Sequence, residues 1–192
     1  VRLHMSRQYL FMTLGHSGSG KSFFVRQLAE KMPVVRLNGD TLRIAMYGSV
    51  TELDKYKALD PTLTREKIFS ALDYAAKQVL SVGYSVVYES NNNKRSIRQK
   101  LEGFAREFGA VPIVIWVQTS PELAIKRGQE REATVDSRQF TDESKARETV
   151  ERHIANTDEP RNEENVITID GTIPFEDQYE SFKKQLAEIK NE

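Results

Sequence analysis

The chain has 192 residues, enough for one ordinary domain with a real core. Lysine plus arginine and aspartate plus glutamate each total 28, and this neutral balance argues against a broad nucleic-acid coat while leaving room for a local basic cleft. There is no cysteine, so disulfides and thiolate metal sites are excluded, and no stretch is apolar for long enough to span a bilayer, so a cytoplasmic protein is expected.

Residues 1–7 carry no pattern and read as a disordered or foreign end, with Met5 the natural start; the domain is expected over residues 8–191. Gln8 to Leu14 is a short apolar run rich in strand formers. Gly15-His16-Ser17-Gly18-Ser19-Gly20-Lys21-Ser22 follows, a complete G-x-x-x-x-G-K-[ST] loop. Phe23 to Lys31 has helical apolar spacing at Phe24, Val25 and Leu28. Pro33 breaks that pattern, and Val34 to Leu37 reads as a second strand. Asn38-Gly39-Asp40 is a turn, Thr41 to Tyr47 a short helix, and Gly48 to Pro61 a loop with one helical turn. Thr64 to Val82 is a long helix with Ile68, Leu72, Ala75, Ala76, Val79 and Leu80 on one face, closed by Gly83.

Ser85 to Tyr88 is a third strand ending at Glu89, and Ser90 to Asn93 is a polar turn. Lys94 to Phe108 is a helix stopped by Gly109. Val111 to Gln118 is a fourth strand, and Ser120-Pro121-Glu122 starts another helix. The charge-dense segment from Arg127 to Thr141 reads as a lid. Thr141 to Asn156 is a helix with a partial cap signal at Thr141, Val166 to Ile169 a fifth strand, and Phe175 to Lys190 the closing helix. Alternating short strands and helices predict a three-layer α/β fold, a five-stranded parallel sheet covered on both faces. Ligands in such sheets sit beyond the carboxyl ends of the strands.

The glycine-rich loop is a phosphate cradle by its chemistry. Its N–H groups surround phosphate oxygens, and the following helix adds positive partial charge. Lys21 then reaches the β- and γ-phosphates of ATP, and Ser22 coordinates Mg²⁺. The expected nucleotide-binding residues are Gly15, His16, Ser17, Gly18, Ser19, Gly20, Lys21, Ser22 and Phe23.

Three further groups stand at strand ends. Asp40 can align or deprotonate an attacking hydroxyl, or simply cap the helix that begins there. Arg43, one turn on, can hold an anionic acceptor or pair with Asp40. Glu89 can hold Mg²⁺ through water, bind the acceptor, or cap the turn after it. Arg127, Arg131 and Arg138 fall in the lid, where at least one is expected to serve the transferring phosphoryl group. His4 and His153 have no partner pattern and read as structural or exposed, and His16 as solvent-facing. Met12, Met32, Met46 and Trp116 read as core.

These residues resemble the P-loop kinase branch that holds phage polynucleotide kinase, the zeta toxins and small bacterial ATP-binding proteins with an AAA-type phosphate loop. The resemblance runs from about Tyr9 to Asp170. It rests on the loop, on Asn38-Gly39-Asp40-Thr41-Leu42-Arg43, on Val86 to Glu89 with Ser90-Asn91-Asn92-Asn93, and on Ile125-Lys126-Arg127 through Arg131. It implies a nucleoside-kinase-like P-loop fold, with Asp40 as general base, Arg43 on the acceptor phosphate, Arg131 on the phosphoryl group and Arg127 near the base of ATP. More weakly, Pro160 to Glu164 would close over adenine. Polynucleotide kinase has aspartate then threonine where this chain has Glu89-Ser90, and no phosphatase domain follows.

The expectation is therefore an ATP- and Mg²⁺-dependent phosphotransferase. Its acceptor would be a polynucleotide 5′-hydroxyl, a nucleoside, a nucleotide sugar or a small metabolite. No membrane and no obligate protein partner is expected. The rivals are a nucleotide-dependent ATPase switch without a small acceptor, and a zeta-toxin-like kinase acting on nucleotide sugars.

Overall fold

The computed structural model describes residues 7–130 and 142–189. Strands β1 (Tyr9–Leu14), β2 (Val34–Asn38), β3 (Ser85–Glu89), β4 (Val111–Gln118) and β5 (Val166–Asp170) form one parallel sheet in the order β2-β3-β1-β4-β5. The helices are α1 (Lys21–Lys31), α2 (Gly39–Tyr47), α3 (Val50–Leu59), α4 (Pro61–Ser81), α5 (Arg95–Glu107), α6 (Pro121–Glu130), α7 (Glu143–Ala155) and α8 (Phe175–Glu188). The expected α/β layering is present.

β1 is central, and all six of its residues are buried. A strand covered on both faces has no polar side, which is why its sequence is YLFMTL. Tyr9 and Phe11 join Phe24, Val25 and Leu28 of α1 and Phe175 and Phe182 of α8 in one core. Leu10, Met12 and Leu14 join Leu72, Ala76 and Leu80 of α4 and Leu101 and Ala105 of α5 in the other. Each such side chain contributes about 1.5–3 kcal/mol on burial. The β1–β3 and β1–β4 registers then bring the ends of β2, β3 and β4 to the same rim as the loop that leaves β1.

Several sequence expectations change. Residues 50–59 are a helix rather than loop, because Ser49 caps Glu52 N–H at 3.1 Å and Leu53 anchors the segment. α2 starts two residues early, since Asn38 rather than Asp40 is its cap: Asn38 Oδ1 accepts from the N–H groups of Asp40 and Thr41 at 2.9 and 2.8 Å. Asp60 caps α4, with Pro61 in its first turn. Asp142 caps α7, by accepting from Ser144 N–H at 2.9 Å. Arg127 lies in the last turn of helix α6 rather than in a lid connection. Met46 is 40% exposed and is not core, because α2 turns Leu42 inward against the α4–α5 core instead. The rest of the expected lid, with Arg131 and Arg138, and the N-terminal residues with His4 lie outside the described residues.

Candidate active site

The loop between β1 and α1 has positive φ at Gly15, Gly18 and Gly20 (135°, 79° and 103°). At Gly18 a side chain fails twice: the backbone lies in the left-handed region, and a Cβ would stand 2.4 Å from the Ala124 carbonyl oxygen. The loop is thus pressed against α6. Lys21 Nζ donates to the carbonyls of Gly15 and His16 at 2.5 and 2.8 Å, so its ammonium lies over the loop. Ser19 is fully buried, and its Oγ has no hydrogen-bond partner. Thr13 Oγ1 and Asn92 Oδ1 are likewise buried and unpartnered, while Asn92 Nδ2 donates to the carbonyls of Thr13 and Tyr88 at 3.1 and 3.0 Å. Orphaned polar atoms of this kind beneath a phosphate loop suit a site that takes polar ligands or water.

His16 is not merely solvent-facing. Its Nε2 lies 2.9 Å from the Thr119 carbonyl and its Nδ1 3.0 Å from that of Ser17. Nor is His153 without a partner, since its Nδ1 accepts from Ser17 N–H at 3.1 Å. No sequence signal pairs residues 136 positions apart, and only the packing of α7 on α6 brings them together.

At the next strand ends, Asp40 and Arg43 pair with each other across one helical turn, Asp40 being 52% and Arg43 28% exposed. Asp40 does not cap α2, so its carboxylate remains accessible at the rim. Glu89 is 6% exposed, and its Oε2 accepts from Arg36 Nε at 2.5 Å. Arg36 on β2 was missed in the sequence. Its signal is a single arginine inside VVRLN, a strand otherwise apolar up to its capping Asn38. The pairing answers one question about Glu89: burial of that carboxylate is compensated by a guanidinium.

Ser22 is half-buried at the start of α1. No group of three or more His, Asp or Glu among the described residues could hold a metal ion by itself. A divalent ion here would need phosphate oxygens and waters beside the Ser22 hydroxyl, the partial coordination that Mg²⁺ accepts.

On the opposite side of the loop, Arg127 Nη1 donates to the Gly171 carbonyl at 2.8 Å. Gly171 itself abuts the phosphate loop, for a Cβ there would lie 2.2 Å from the Ser19 carbonyl oxygen. Phe23 is 53% exposed and meets Phe175 edge-on. Arg127, Phe23 and the 171–174 turn therefore border one side of the loop. The 160–164 segment is employed elsewhere. Glu164 is buried against Arg98 of α5, with Arg98 Nε to Oε1 at 2.7 Å and Nη2 to Oε2 at 3.1 Å. Glu164 is thus committed to Arg98, while residues 161–163 of the segment expected near adenine are exposed.

The family model for an AAA domain matches residues 10–155, three quarters of the chain. The chain belongs to that family. Its architecture is that of P-loop NTPases of the kinase type, and solved structures superpose along nearly its whole length. A gluconokinase from Sinorhizobium meliloti 1021 does so with a TM-score of 0.65 at 22% identity, over 95% of this chain and 94% of the other. Kti12 from Chaetomium thermophilum, solved with ADP-AlF3, gives 0.65 at 18% identity over 95% and 100%. A chain of the Pnkp1/Rnl/Hen1 RNA repair complex gives 0.61 at 22% over 81% of this chain and 46% of that one. At these identities the likeness speaks for the fold of this AAA-domain chain and does not single out the polynucleotide kinase branch. No curated protein matches the sequence. No helix among the described residues is long and apolar enough to cross a membrane.

Proposed function

We propose that the chain is an ATP-dependent phosphotransferase that moves the γ-phosphoryl group to a hydroxyl acceptor. One observation carries the reading: a Lys21-bearing phosphate loop with three positive-φ glycines stands on the same sheet rim as an accessible Asp40 that its helix does not need as a cap. The loop N–H groups and Lys21 hold the β- and γ-phosphates, and Ser22 is the protein ligand to Mg²⁺. Mg²⁺ would neutralise charge on the phosphate oxygens. Arg127, Phe23 and the 171–174 turn border the base.

Asp40 accepts the proton of the attacking hydroxyl, and Arg43 beside it turns toward an anionic acceptor group. Glu89, held by Arg36 at the end of β3, would bind the acceptor or hold Mg²⁺ through water. Arg131 would meet the transferring group from the segment beyond α6. The acceptor is a sugar, a nucleoside, a nucleotide sugar, another small polyol or a polynucleotide 5′ end; neutral net charge favours the small ones.

The test follows labelled γ-phosphate from ATP with Mg²⁺ across sugars, nucleosides, nucleotide sugars and 5′-hydroxyl oligonucleotides. Label on one class is expected, with Asp40→Ala lowering transfer at least about a hundredfold and leaving ATP affinity within about threefold. Label released only as free phosphate would move the assignment to a nucleotide-dependent switch. Full transfer by Asp40→Ala would remove Asp40 from the chemistry.

A further inference from the structure

His153 stands in the last turn of α7, and its position is over-determined. Ala146 and Val150, two turns and one turn earlier, are packed with Ala124 and Ile125 of α6. Thr157 Oγ1 donates to the His153 carbonyl at 2.6 Å and closes the helix end. The ring then meets the third residue of the phosphate loop, where Ser17 N–H donates to Nδ1 at 3.1 Å. A ring nitrogen that accepts a hydrogen bond carries no proton. Burial first, then the charges of Lys21, Arg152 and His16, push the imidazole down to about 4, so the ring is neutral at neutral pH. A neutral ring with a bare Nδ1 has its proton on Nε2.

That Nε2–H is a fixed donor with no protein partner among the described residues. The ring as a whole lies close enough to Lys21 for the ammonium to be the foremost charge acting on it. The motif directs that same ammonium to the β- and γ-phosphates. A neutral donor beside it adds a hydrogen bond without adding like-charge repulsion.

We propose that His153 is a phosphate-contacting residue: Ser17 N–H locks its tautomer, and Nε2–H donates to an oxygen of the terminal phosphoryl group of the nucleotide. The proposal rests on the nucleotide-binding reading above. It gives α7, the helix that follows the 131–141 segment, a direct part in recognising the triphosphate. It also separates two roles for one ring, because Nδ1 holds the loop and Nε2 holds the ligand.

Two substitutions divide these roles. In His153→Gln the amide nitrogen reaches the Nε2 position and keeps the ligand donor, but the acceptor for Ser17 is lost. In His153→Asn the amide oxygen replaces Nδ1 and keeps the Ser17 bond, but nothing reaches the ligand. Titrations of ATP, ADP and AMP against the folded full chain, with thermal melts as a check on folding, should give a clear pattern. His153→Asn weakens ATP about tenfold and leaves AMP unchanged, whereas His153→Gln keeps ATP within about threefold. The reverse pattern, equal loss of ATP and AMP, or no effect in either variant overturns the proposal. Nitrogen-15 spectra of the histidine rings supply a readout independent of activity: the Nε2–H tautomer is expected for His153, and the Nδ1–H tautomer overturns the proposal. If the wild-type chain is folded and does not bind ATP, the nucleotide reading falls and this inference falls with it. If it binds ATP and the variants reverse, only this inference falls.

Discussion

A methyl group on Gly171 would stand 2.2 Å from both the Ser19 carbonyl oxygen and Thr119 Oγ1. Neither can retreat freely, because Thr119 Oγ1 donates to that carbonyl at 2.9 Å and Gly171 N–H donates to the Gln118 carbonyl at 2.7 Å. The turn after β5, the start of α6 and the phosphate loop are thus locked together by the absence of one side chain. Gly171→Ala is expected to cost about 1–3 kcal/mol of stability through overpacking. It should also weaken nucleotide binding, since the relief of the clash must move Ser19. Gly103 is the contrast: it lies in helix α5, with nothing within 4 Å of a Cβ. There alanine should stabilise by about 0.5–1 kcal/mol through helix propensity. Urea titrations of the two variants check both signs, and a neutral Gly171→Ala would mean the loop and the turn are not in rigid contact.

Among the elements, α5 departs furthest from a simple amphipathic helix. Its inward side carries Leu101 and Ala105, but also Arg95, Arg98 and Glu102, all buried. Arg98 has no exposed surface and holds Glu164 through two hydrogen bonds, with Nη1 donating to the Asn92 and Asn93 carbonyls at 3.1 and 3.2 Å. Arg95 pairs with Glu102 at 2.9 Å. The network fastens the 158–164 segment to the polar turn after β3. Arg98→Met takes two hydrogen bonds from the buried Glu164 and leaves it Arg95 Nε at 3.3 Å and Arg161 N–H, so the cost should be up to about 3 kcal/mol. Adding Glu164→Leu should recover much of that loss, because the under-compensated charge goes too. Equal stability of the single and double variants in denaturant would contradict the coupling.

The same element marks how far the sequence could be read. β4 was legible to the residue, because a run such as VPIVIWVQ between two turns fits only a strand buried on both faces. α4 was legible because Ile68, Leu72, Ala76 and Leu80 repeat every four residues. α3 was not, since Leu53 is its one buried residue and one anchor makes no periodicity. At the candidate site, the phosphate loop and the place of Asp40 at the end of β2 were legible in local motifs. Arg36 with Glu89, Arg98 with Glu164 and His153 with Ser17 were not. Each pair is made by segments far apart in the chain, and nothing in either segment alone names the other.

At the scale of the whole molecule, the titrating groups set how stability responds to acid, in two separable windows. His153 has an ordinary value of 6.5 and is held at about 4 in the fold by burial and by Lys21, Arg152 and His16. Between those values the unfolded chain binds a proton that the folded chain refuses. Stability therefore falls as pH is lowered from about 6.5 toward 4, and the His153 contribution levels off below that. The carboxylates act lower. Asp142 is depressed by its hydrogen bond from Ser144 N–H, and Asp158 by those from Arg95 N–H and the Lys94 ammonium. Asp170 is depressed by the Thr172 hydroxyl and N–H. Burial alone would raise Glu164, but the Arg98 hydrogen bond, Arg161 N–H and the charges of Arg98 and Arg95 outweigh it. These four contribute stability that is present above the ordinary carboxylate range and is lost as pH falls through their lowered values. Melting temperature followed from pH 7.5 to 3 should decline gently through the first window and steeply below about 4. His153→Gln removes the group whose lowered value spans the upper window and should flatten that slope while leaving the steep acid limb in place. An unchanged upper slope in that variant would mean that another group carries the proton, and that the imidazole facing Ser17 is not held neutral by its surroundings.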